Sequence, residues 1–353
     1  MMKMTGYGRN LQSLAAMVLL TGSAALGGGV PDYDFEWVTI GDPGNEPYQG
    51  EIFNIGKNRG GVDYTYRMSK LETTSGQWLE FIRTAGPLLG DVGWGEPKSF
   101  GYLRFGPGNY VPWTPNPDMT PVQGIQWREA AMYANWLHND KANTVEALMD
   151  GAYDVSTFGE DQFGVFTDQA THHPDAKFWI PTLDEWIKAV HYDPNKGGPG
   201  ESGWWQYPTT SDTAPIEGPP GEGETSGYFG DWIVDGVEFP SFAIPLGAYP
   251  DVTSPWGLLD TSGGASEWTE EIFKQQARIT EGRYADYSDD PRFDPDTLLH
   301  YSLWPPGNFP SFPKFETIRL ASAIPAPSSF AMYEIGCGAV FHWRKRCSRN
   351  RSV

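Results

Sequence analysis

Residues 247–271 read G-A-Y-P-D-V-T-S-P-W-G-L-L-D-T-S-G-G-A-S-E-W-T-E-E, and the organisation of the chain follows from this segment. Four glycines and two tryptophans lie in it, without the period of a helix or of a strand. Its glycines, among them Gly257, Gly263 and Gly264, permit backbone conformations that other residues avoid. Because ladder hydrogen bonds cannot hold such a segment, we expect another interaction to order it.

Two carboxylates, Asp260 and Glu267, flank the glycine pair of this segment. Carboxylate and carbonyl oxygens are the ligands that hard cations such as Ca²⁺ prefer in proteins. The segment therefore predicts a calcium site. The alternative is a plain glycine turn in which Glu267 is only a surface charge.

Composition and charge narrow the possible partners. The chain has 353 residues, with 15 Trp, 17 Tyr and 19 Phe, so it can bury a substantial core. Its 42 Gly and 30 Pro predict much irregular structure. The net charge is −20, and the two ends contribute +2 and +4, so the middle of the chain carries −26. Such a surface repels a phosphate backbone, and we therefore expect no nucleic-acid partner.

Both cysteines, Cys337 and Cys347, lie near the C-terminus. The rest of the chain therefore offers no disulfide, no thiolate metal site and no cysteine nucleophile.

The N-terminal residues 1–29 predict a signal peptide. Lys3 and Arg9 precede an apolar run, and small residues follow it. The run is too short for a membrane span, so we expect an exported protein. The alternative is a disordered N-terminus.

The C-terminal residues 324–353 contain I-P-A-P-S-S, then a hydrophobic stretch, then R-K-R-C-S-R-N-R. This order resembles the PEP-CTERM sorting signal of exported bacterial proteins. The resemblance implies a sorting protease (exosortase) as partner, membrane contact only through the tail, and a cell-envelope, surface or extracellular location. Ala326 replaces the motif's Glu, and Glu334 and His342 interrupt the apolar stretch, where a charge is costly. The alternative is a frayed tail with a basic end.

Residues 31–322 show no convincing linker and predict one domain. Residues 36–40 predict an opening strand, and residues 62–68 a second one with Val62, Tyr64 and Tyr66 on one side. A helix then begins after Thr74, which forms a capping box with Gln77, and we expect Gly86 to end it. Residues 87–120 predict a long structured loop.

Two more helices follow. Residues 121–138 predict an extended entry and a helix whose apolar stripe is Ala130, Ala134 and Leu137. Residues 178–192 carry a second capping box, Thr182 and Glu185, with Trp186, Ala189 and Val190 facing inward. The cap explains Glu185 without a catalytic role. His138 and His191 lie at helix C-termini, where a protonated ring suits the helix dipole. Residues 193–246 predict further loops.

Four blocks of this sequence, taken in order, resemble the formylglycine-generating enzyme (sulfatase-modifying factor) family. They are Y-R-M-S-K-L-E-T-T-S-G-Q-W-L-E-F (66–81), P-V-Q-G-I-Q-W-R-E-A-A-M-Y-A-N-W-L (121–137), W-I-P-T-L-D-E-W-I-K-A (179–189) and W-G-L-L-D-T-S-G-G-A-S-E-W (256–268). Trp179 stands where Arg is usual, and Gly264 where Asn is usual.

The resemblance implies an α+β fold, the formylglycine-generating-enzyme fold, which is C-type-lectin-like in part and has few regular elements and much irregular loop. It also implies bound structural calcium. Carried over by position, the ligands are the side chains of Asp260 and Glu267 and the backbone carbonyls of Gly263 and Ala265.

The family's oxidase chemistry does not carry over. In the family it rests on two cysteines that hold copper near the end of the domain. Cu(I) prefers thiolate ligands. The corresponding region has only E-G-R-Y (281–284) and I-R-L (318–320), and no cysteine. We therefore expect neither copper nor formylglycine formation. A second branch of the family uses iron held by an added N-terminal helical domain, which is missing here, and the six histidines show no i, i+4 metal spacing.

These observations predict an exported, calcium-stabilised pseudoenzyme that acts as a surface or extracellular binding module. Its partner is an extracellular polymer, glycan or protein, on which the aromatic loop 204–207 could stack. The alternative for that loop is packing against the core. The alternative function is an enzyme of the same fold, formylglycine-generating-enzyme-like or a non-haem-metal oxidoreductase, with non-cysteine ligands.

Overall fold

A computed structural model describes residues 30–52, 55–90, 96–97, 100–226, 231–234, 236–240, 243–274, 277–282, 302–304 and 316–325. The predicted signal peptide and nearly all of the predicted sorting tail lie outside these residues. In the described part of the chain the helices and strands are, in chain order, β1 (Trp37–Ile40), β2 (Tyr66–Ser69), α1 (Ser75–Leu89), β3 (Tyr102–Arg104), β4 (Tyr110–Pro112), α2 (Trp127–His138), α3 (Val145–Met149), β5 (Phe178–Trp179), α4 (Leu183–His191), β6 (Tyr192–Gly198), β7 (Glu201–Trp204), β8 (Asp231–Val234), β9 (Val237–Pro240), β10 (Ser266–Phe273), β11 (Ala277–Glu281), β12 (Ser302–Trp304), β13 (Glu316–Thr317) and β14 (Ala321–Ser322).

The first sheet joins the beginning and the end of the described domain. Its strand order is β1-β2-β14-β5, and all neighbouring strands are antiparallel. Met68 in β2 lies opposite both Val38 and Ala321 and is fully buried. This pairing brings the segment before β14 next to the turn that follows β2.

The second sheet has the order β12-β11-β10-β13. Strand β10 is antiparallel to β11, with a bulge between Trp268 and Ile272, and parallel to β13, where Glu267 lies opposite Thr317. Arg319 follows Thr317 by two residues, so this pairing brings it close to Glu267. Three further hairpins, β3–β4, β6–β7 and β8–β9, lie in the described residues.

Aromatic side chains of α1 and α2 fill the centre of the core. Trp78 and Phe81 of α1 contact Tyr133 and Trp136 of α2, with ring centroids 5.1–5.5 Å apart. The predicted stripe of Ala130, Ala134 and Leu137 is fully buried, which confirms it. Small alanines in that stripe leave room for the rings.

Both predicted capping boxes are confirmed. The Thr74 hydroxyl accepts from the Gln77 amide, and the Gln77 side chain accepts from the Thr74 amide. Thr182 and Glu185 form the same reciprocal pair at α4. These boxes are local, so the sequence alone is sufficient to specify them.

The predicted end of α1 is wrong. The helix continues through the buried Gly86 to Leu89, and Gly90 adopts the left-handed conformation, with φ of 72°. Gly90 therefore supplies the C-terminal cap, because glycine enters that conformation at low cost. Gly86 stays helical, since the core-facing side of α1 extends past it.

The second strand is shorter than predicted. It begins at Tyr66, whereas Val62 is buried and Tyr64 is exposed. Residues 63 and 64 form a bend instead, and the Tyr64 hydroxyl donates to Glu185 of α4. The predicted loops 87–120 and 193–246 contain short hairpins, whose turns use the same glycines that made these regions look irregular.

The fold class is α+β, as predicted, with helices packed on small, mostly antiparallel sheets and much irregular loop. Among the described residues, no helix is both long enough and apolar enough to cross a membrane.

Candidate functional site

The prediction that no strand lies in the segment 247–271 is wrong, because residues 266–271 belong to β10 and pair with β11 and β13. The turn at Gly263 and Gly264 has the left-handed backbone that the sequence predicts. Both residues adopt left-handed conformations, with φ of 77°. A Cβ atom on Gly263 would lie 2.2 Å from the Thr225 hydroxyl oxygen, so a larger residue here would force Thr225 or the turn to shift. Asp260 is itself left-handed, with φ of 54°, which is uncommon for a residue with a side chain.

Glu267 is bound by protein donors. Its carboxylate accepts from the Arg319 guanidinium at 2.8 and 3.0 Å and from the Trp186 indole at 2.7 Å. Glu267 and Arg319 are both fully buried, and Arg319 also donates to the carbonyls of Ser69, Lys70 and Leu259. In this arrangement Glu267 presents no free oxygen to an ion.

Asp260 and Gly263 lie together on a small cavity of about 30 Å³. The Asp260 carboxylate accepts from the Gly247 amide at 2.6 Å, and burial raises the pKa of Asp260 to about 6. Ala265 is fully buried and, like Glu267, does not line the cavity. Of the four predicted ligand residues, the structure therefore brings two to one cavity and leaves two outside it.

Glu72 is a residue of this site that sequence reasoning missed. It lines the same cavity and is 2% exposed, and its Oε1 atom has no hydrogen-bond partner. Burial and the charge of Glu267 raise the pKa of Glu72 well above its usual value. The signal in the sequence was an acid inside the apolar approach to a capped helix, in Y-R-M-S-K-L-E-T-T (66–74).

Whether calcium fits this cavity depends on the oxygen atoms that surround it. Glu72, Asp260 and the backbone around Gly263 offer hard oxygen ligands, whereas Glu267 is engaged by Arg319. Within the described residues there is no group of three or more His, Cys, Asp or Glu side chains that could hold a metal. Calcium therefore stays a prediction.

A second polar cluster forms around Glu270. Its Oε1 atom accepts from the Tyr153 hydroxyl at 2.6 Å and from the backbone amide of His172 at 2.7 Å, and it lies 2.9 Å from Nδ1 of His172. Its Oε2 atom is buried without a hydrogen-bond partner. Glu270 is thus a buried carboxylate that orients a histidine ring.

His172 lies where that ring can reach solvent. Its side chain is 18% exposed, and it stacks on Trp179 at 4.5 Å between ring centroids. Burial opposes protonation, but the hydrogen bond and charge of Glu270 outweigh it and raise the pKa of His172. Glu185 lies beside this pair, where its carboxylate accepts from Trp179 and from Tyr64. No sequence pattern indicated this partner, which lies 98 residues away.

Two predicted roles for histidines are wrong. His191 is 2% exposed, and burial lowers its pKa to about 3, so it is neutral near pH 7 and not a cation on the helix dipole. Burial likewise lowers the pKa of His138. At His191 burial disfavours the protonated ring, and at His138 burial and the nearby charge of Lys177 do so.

Adjacent acids in the sequence point to different partners. Glu270 is directed at His172, whereas Glu271 pairs with Arg59 at 2.9 Å. Asp184 also pairs with Arg59, at 2.8 Å, whereas Glu185 caps α4. Neither adjacent pair forms a two-carboxylate site.

The aromatic loop 204–207 packs against the domain. Trp204 contacts Tyr48 and Tyr192, and Tyr207 is buried. Trp205 lies under the Lys196 ammonium at 4.2 Å. The core-packing alternative therefore describes this loop.

The β3–β4 hairpin carries exposed apolar side chains on one face. Leu103 lies opposite Val111, and Phe105 and Trp113 each follow two residues later on the same face. All four are at least 36% exposed, and Phe105 is 67% exposed. Exposed apolar residues that cluster on one face make this hairpin a candidate interaction surface.

The family of this chain follows from comparison with known families. Residues 36–302 match the sulfatase-modifying factor enzyme 1-like domain (FGE-sulfatase), which is most of the chain. The chain belongs to this family. The predicted formylglycine-generating-enzyme fold is thereby confirmed.

Solved structures similar to this family member include the crystal structure of CarF, with 18% identity, a TM-score of 0.46, and coverage of 83% of this chain and 99% of that one. Treponema denticola variable protein 1 has 14% identity and a TM-score of 0.41, covering 82% and 95%. PvdO from Pseudomonas aeruginosa has 12% identity and a TM-score of 0.40, covering 82% and 92%. No curated protein matches the chain.

Proposed function

We propose that this protein is an exported, calcium-stabilised member of the sulfatase-modifying factor enzyme 1-like family that lacks the copper–cysteine oxidase site and acts as a surface or extracellular binding module. One observation carries the proposal. The family match ends at residue 302, and both cysteines of the chain, Cys337 and Cys347, come after it. A Cu(I) site built on thiolates therefore has no ligands in the family domain.

The β3–β4 hairpin supports a binding role. Its exposed face joins two aromatic rings, Phe105 and Trp113, to two aliphatic side chains. Aromatic rings of this kind stack on sugar rings or on the apolar face of another polymer. The partner we propose is an extracellular glycan, polymer or protein, and the hairpin replaces the loop 204–207 as the surface that contacts it.

A glycan array tests the binding role. Phe105→Ser should lower binding to the best glycan at least tenfold, whereas Phe163→Ser should leave it unchanged, because Phe163 is an even more exposed ring that is not part of the hairpin. Binding that both substitutions leave intact would reject this surface. Conversion of a cysteine-containing sulfatase peptide to formylglycine by the purified protein would reject the pseudoenzyme proposal itself.

Export is the other part of the proposal. It rests on the apolar run in residues 1–29 and on the tail 324–353. We propose that a sorting protease recognises this tail, and that any membrane contact is made through it. Mass spectrometry of the mature protein from its native host should show that residues 1–29, and the residues after about Pro327, are gone. A full-length mature chain would contradict the sorting role.

The His172–Glu270 pair favours a second candidate, an enzyme of the same fold with non-cysteine ligands or a general base. A buried carboxylate that orients a partly exposed imidazole is the arrangement used to activate histidine in catalysis. Iron or copper bound stoichiometrically by the wild type and lost in His172→Ala would favour this candidate. Equal metal contents in the two proteins would reject His172 as a ligand.

A further inference from the structure

A second and much larger cavity lies between the segment before β1, the turn after β2 and the beginning of α1. Its volume is about 500 Å³, which is typical of pockets that hold small organic molecules and many times what one ion or water occupies. Among the described residues, Glu72 alone lines both this cavity and the small cavity at Gly263. The two cavities are otherwise built from different residues, so their ligands can be considered separately.

Five carboxylates line the large cavity, whereas no lysine, arginine or histidine does so within the described part of the chain. The five are Asp34, Glu36, Glu72, Glu80 and Asp118. Lysines outside the cavity pair with two of them, Glu36 and Glu80. The other three have no ion pair with a described lysine or arginine. The cavity therefore carries an unbalanced negative charge, which favours a cationic ligand.

Burial grades these carboxylates from the rim of the cavity to its base. Asp34 and Asp118 are exposed, whereas Glu72 is 2% exposed and its Oε1 atom has no hydrogen-bond partner. A buried carboxylate oxygen without a partner is costly, so it indicates a donor from outside the chain. An ammonium group at this depth would donate to Glu72 and would supply the countercharge that favours its ionised form.

The wall between the base and the rim is largely apolar. It consists of the side chains of Tyr33, Phe35, Leu71 and Met119. Such a wall suits the methylene chain that separates the charged groups of a linear polyamine, because the chain leaves water when it contacts apolar side chains. The cavity thus combines carboxylates at two depths with an apolar surface between them.

The N-terminus of α1 also borders this cavity, and helix N-termini attract anions. Here its donors are bonded within the chain, the Ser75 amide to the Thr120 carbonyl and the Gln77 amide to the Thr74 hydroxyl. Asp118 lies beside this first turn, where its carboxylate repels an anion. An anionic ligand is therefore disfavoured.

We propose that this cavity binds a linear aliphatic polyamine. One ammonium group binds Glu72 at the base, a second lies among the exposed carboxylates of the rim, and the methylene chain follows the apolar wall. The site needs no metal ion. It is separate from the hairpin surface of the proposed function and does not depend on that function.

Calorimetric titration of the metal-free full chain with spermidine, in a buffer without chelator, tests the assignment. Glu72→Gln should weaken spermidine binding at least tenfold, and Asp34→Asn at least threefold. Asp175→Asn is the matched control, because it removes one exposed carboxylate that does not line the cavity and so changes the net charge equally. Asp260→Asn alters only the small cavity at Gly263. Both controls should change the affinity less than twofold, and an uncharged alkanediol of the same chain length should not bind.

The contrary outcomes are equally definite. Wild-type affinity in Glu72→Gln would overturn the proposal, as would absence of spermidine binding by the wild type. Equal losses in Glu72→Gln and Asp175→Asn would also overturn it, because spermidine would then respond only to net charge. If Glu72→Gln does not fold, Asp34→Asn decides, and full affinity in that variant overturns the assignment. None of these outcomes affects glycan binding by the hairpin, so the proposed function is tested separately.

Discussion

The Glu267–Arg319 pair is the most deeply buried ion pair among the described residues, with side chains no more than 1% exposed. Burying both charges is costly, and the geometry offsets this cost because every donor of the guanidinium and both carboxylate oxygens are bonded. Removing one partner leaves the other charge buried and unpaired.

Arg319→Met should therefore lower the free energy of unfolding by about 3–5 kcal/mol, measured by urea denaturation. Arg59→Met is the comparison, because Arg59 bonds Asp184 and Glu271 near the surface, where about 1 kcal/mol or less is expected per pair. Equal losses for the two variants would contradict the anchoring role of Arg319.

His191 should make the protein less stable in acid. Burial lowers its pKa from 6.5 to about 3, so between these values the unfolded chain binds a proton that the folded chain does not. The contribution to stability is fully present above pH 6.5 and falls by up to about 1.4 kcal/mol per pH unit as the pH drops through this window.

The stability advantage of the wild type over His191→Gln should accordingly shrink as the pH falls from neutrality toward 4. Urea denaturation at a series of pH values measures it. His172→Gln should behave in the opposite sense, because Glu270 raises the pKa of His172 and its contribution is lost as the pH rises above 6.5. A pH-independent difference for His191→Gln would show that His191 titrates normally.

Residue identity alone could not predict the partners at these sites. Glu267 and Arg319 are 52 residues apart, and His172 and Glu270 are 98 residues apart. The sequence predicted that Glu267 is charged and functional, but which charge meets it depends on the parallel pairing of β10 with β13. Glu72 was missed for the same reason, since its unpaired oxygen exists only once β2 and the segment 247–271 come together.

At the scale of elements, local chemistry was predictable and short strands were not. The Thr74 and Thr182 capping boxes and the buried face of α2 follow from residues three or four apart. The β3–β4 hairpin has strands of three residues, which is too short for a period of two to stand out. The ends of helices were predictable only in part: the start of α1 was predicted, but the helix continues past Gly86 to Leu89.

The glycine turn before β10 offers a prediction with an adjacent control. Gly263 and Gly264 have the same φ of 77°, but a Cβ atom would meet Thr225 at 2.2 Å only at Gly263 and would lie in open space at Gly264. Gly264→Ala should cost about 1–2 kcal/mol from backbone strain alone, and Gly263→Ala clearly more. Urea denaturation in chelator measures both without a contribution from bound metal. Equal costs would mean that the turn has room to move away from Thr225.

At the scale of the whole molecule, the acidic middle of the chain has a consequence for stability. It carries an excess of 26 negative charges, and two of its acids, Glu72 and Asp260, line one small cavity. Net charge far from zero keeps a protein soluble but destabilises its compact state by self-repulsion. A divalent cation that binds only the folded form would offset part of this repulsion.

We propose a domain that keeps the family fold and binds calcium but lacks the copper chemistry. Metal analysis of the purified, folded protein tests it most directly, by elemental mass spectrometry before and after chelation, together with the melting temperature. The account predicts about one bound calcium per chain, no stoichiometric copper or iron, and a melting temperature that falls when calcium is removed. Stoichiometric copper or iron, or a melting temperature that chelation leaves unchanged, would contradict it.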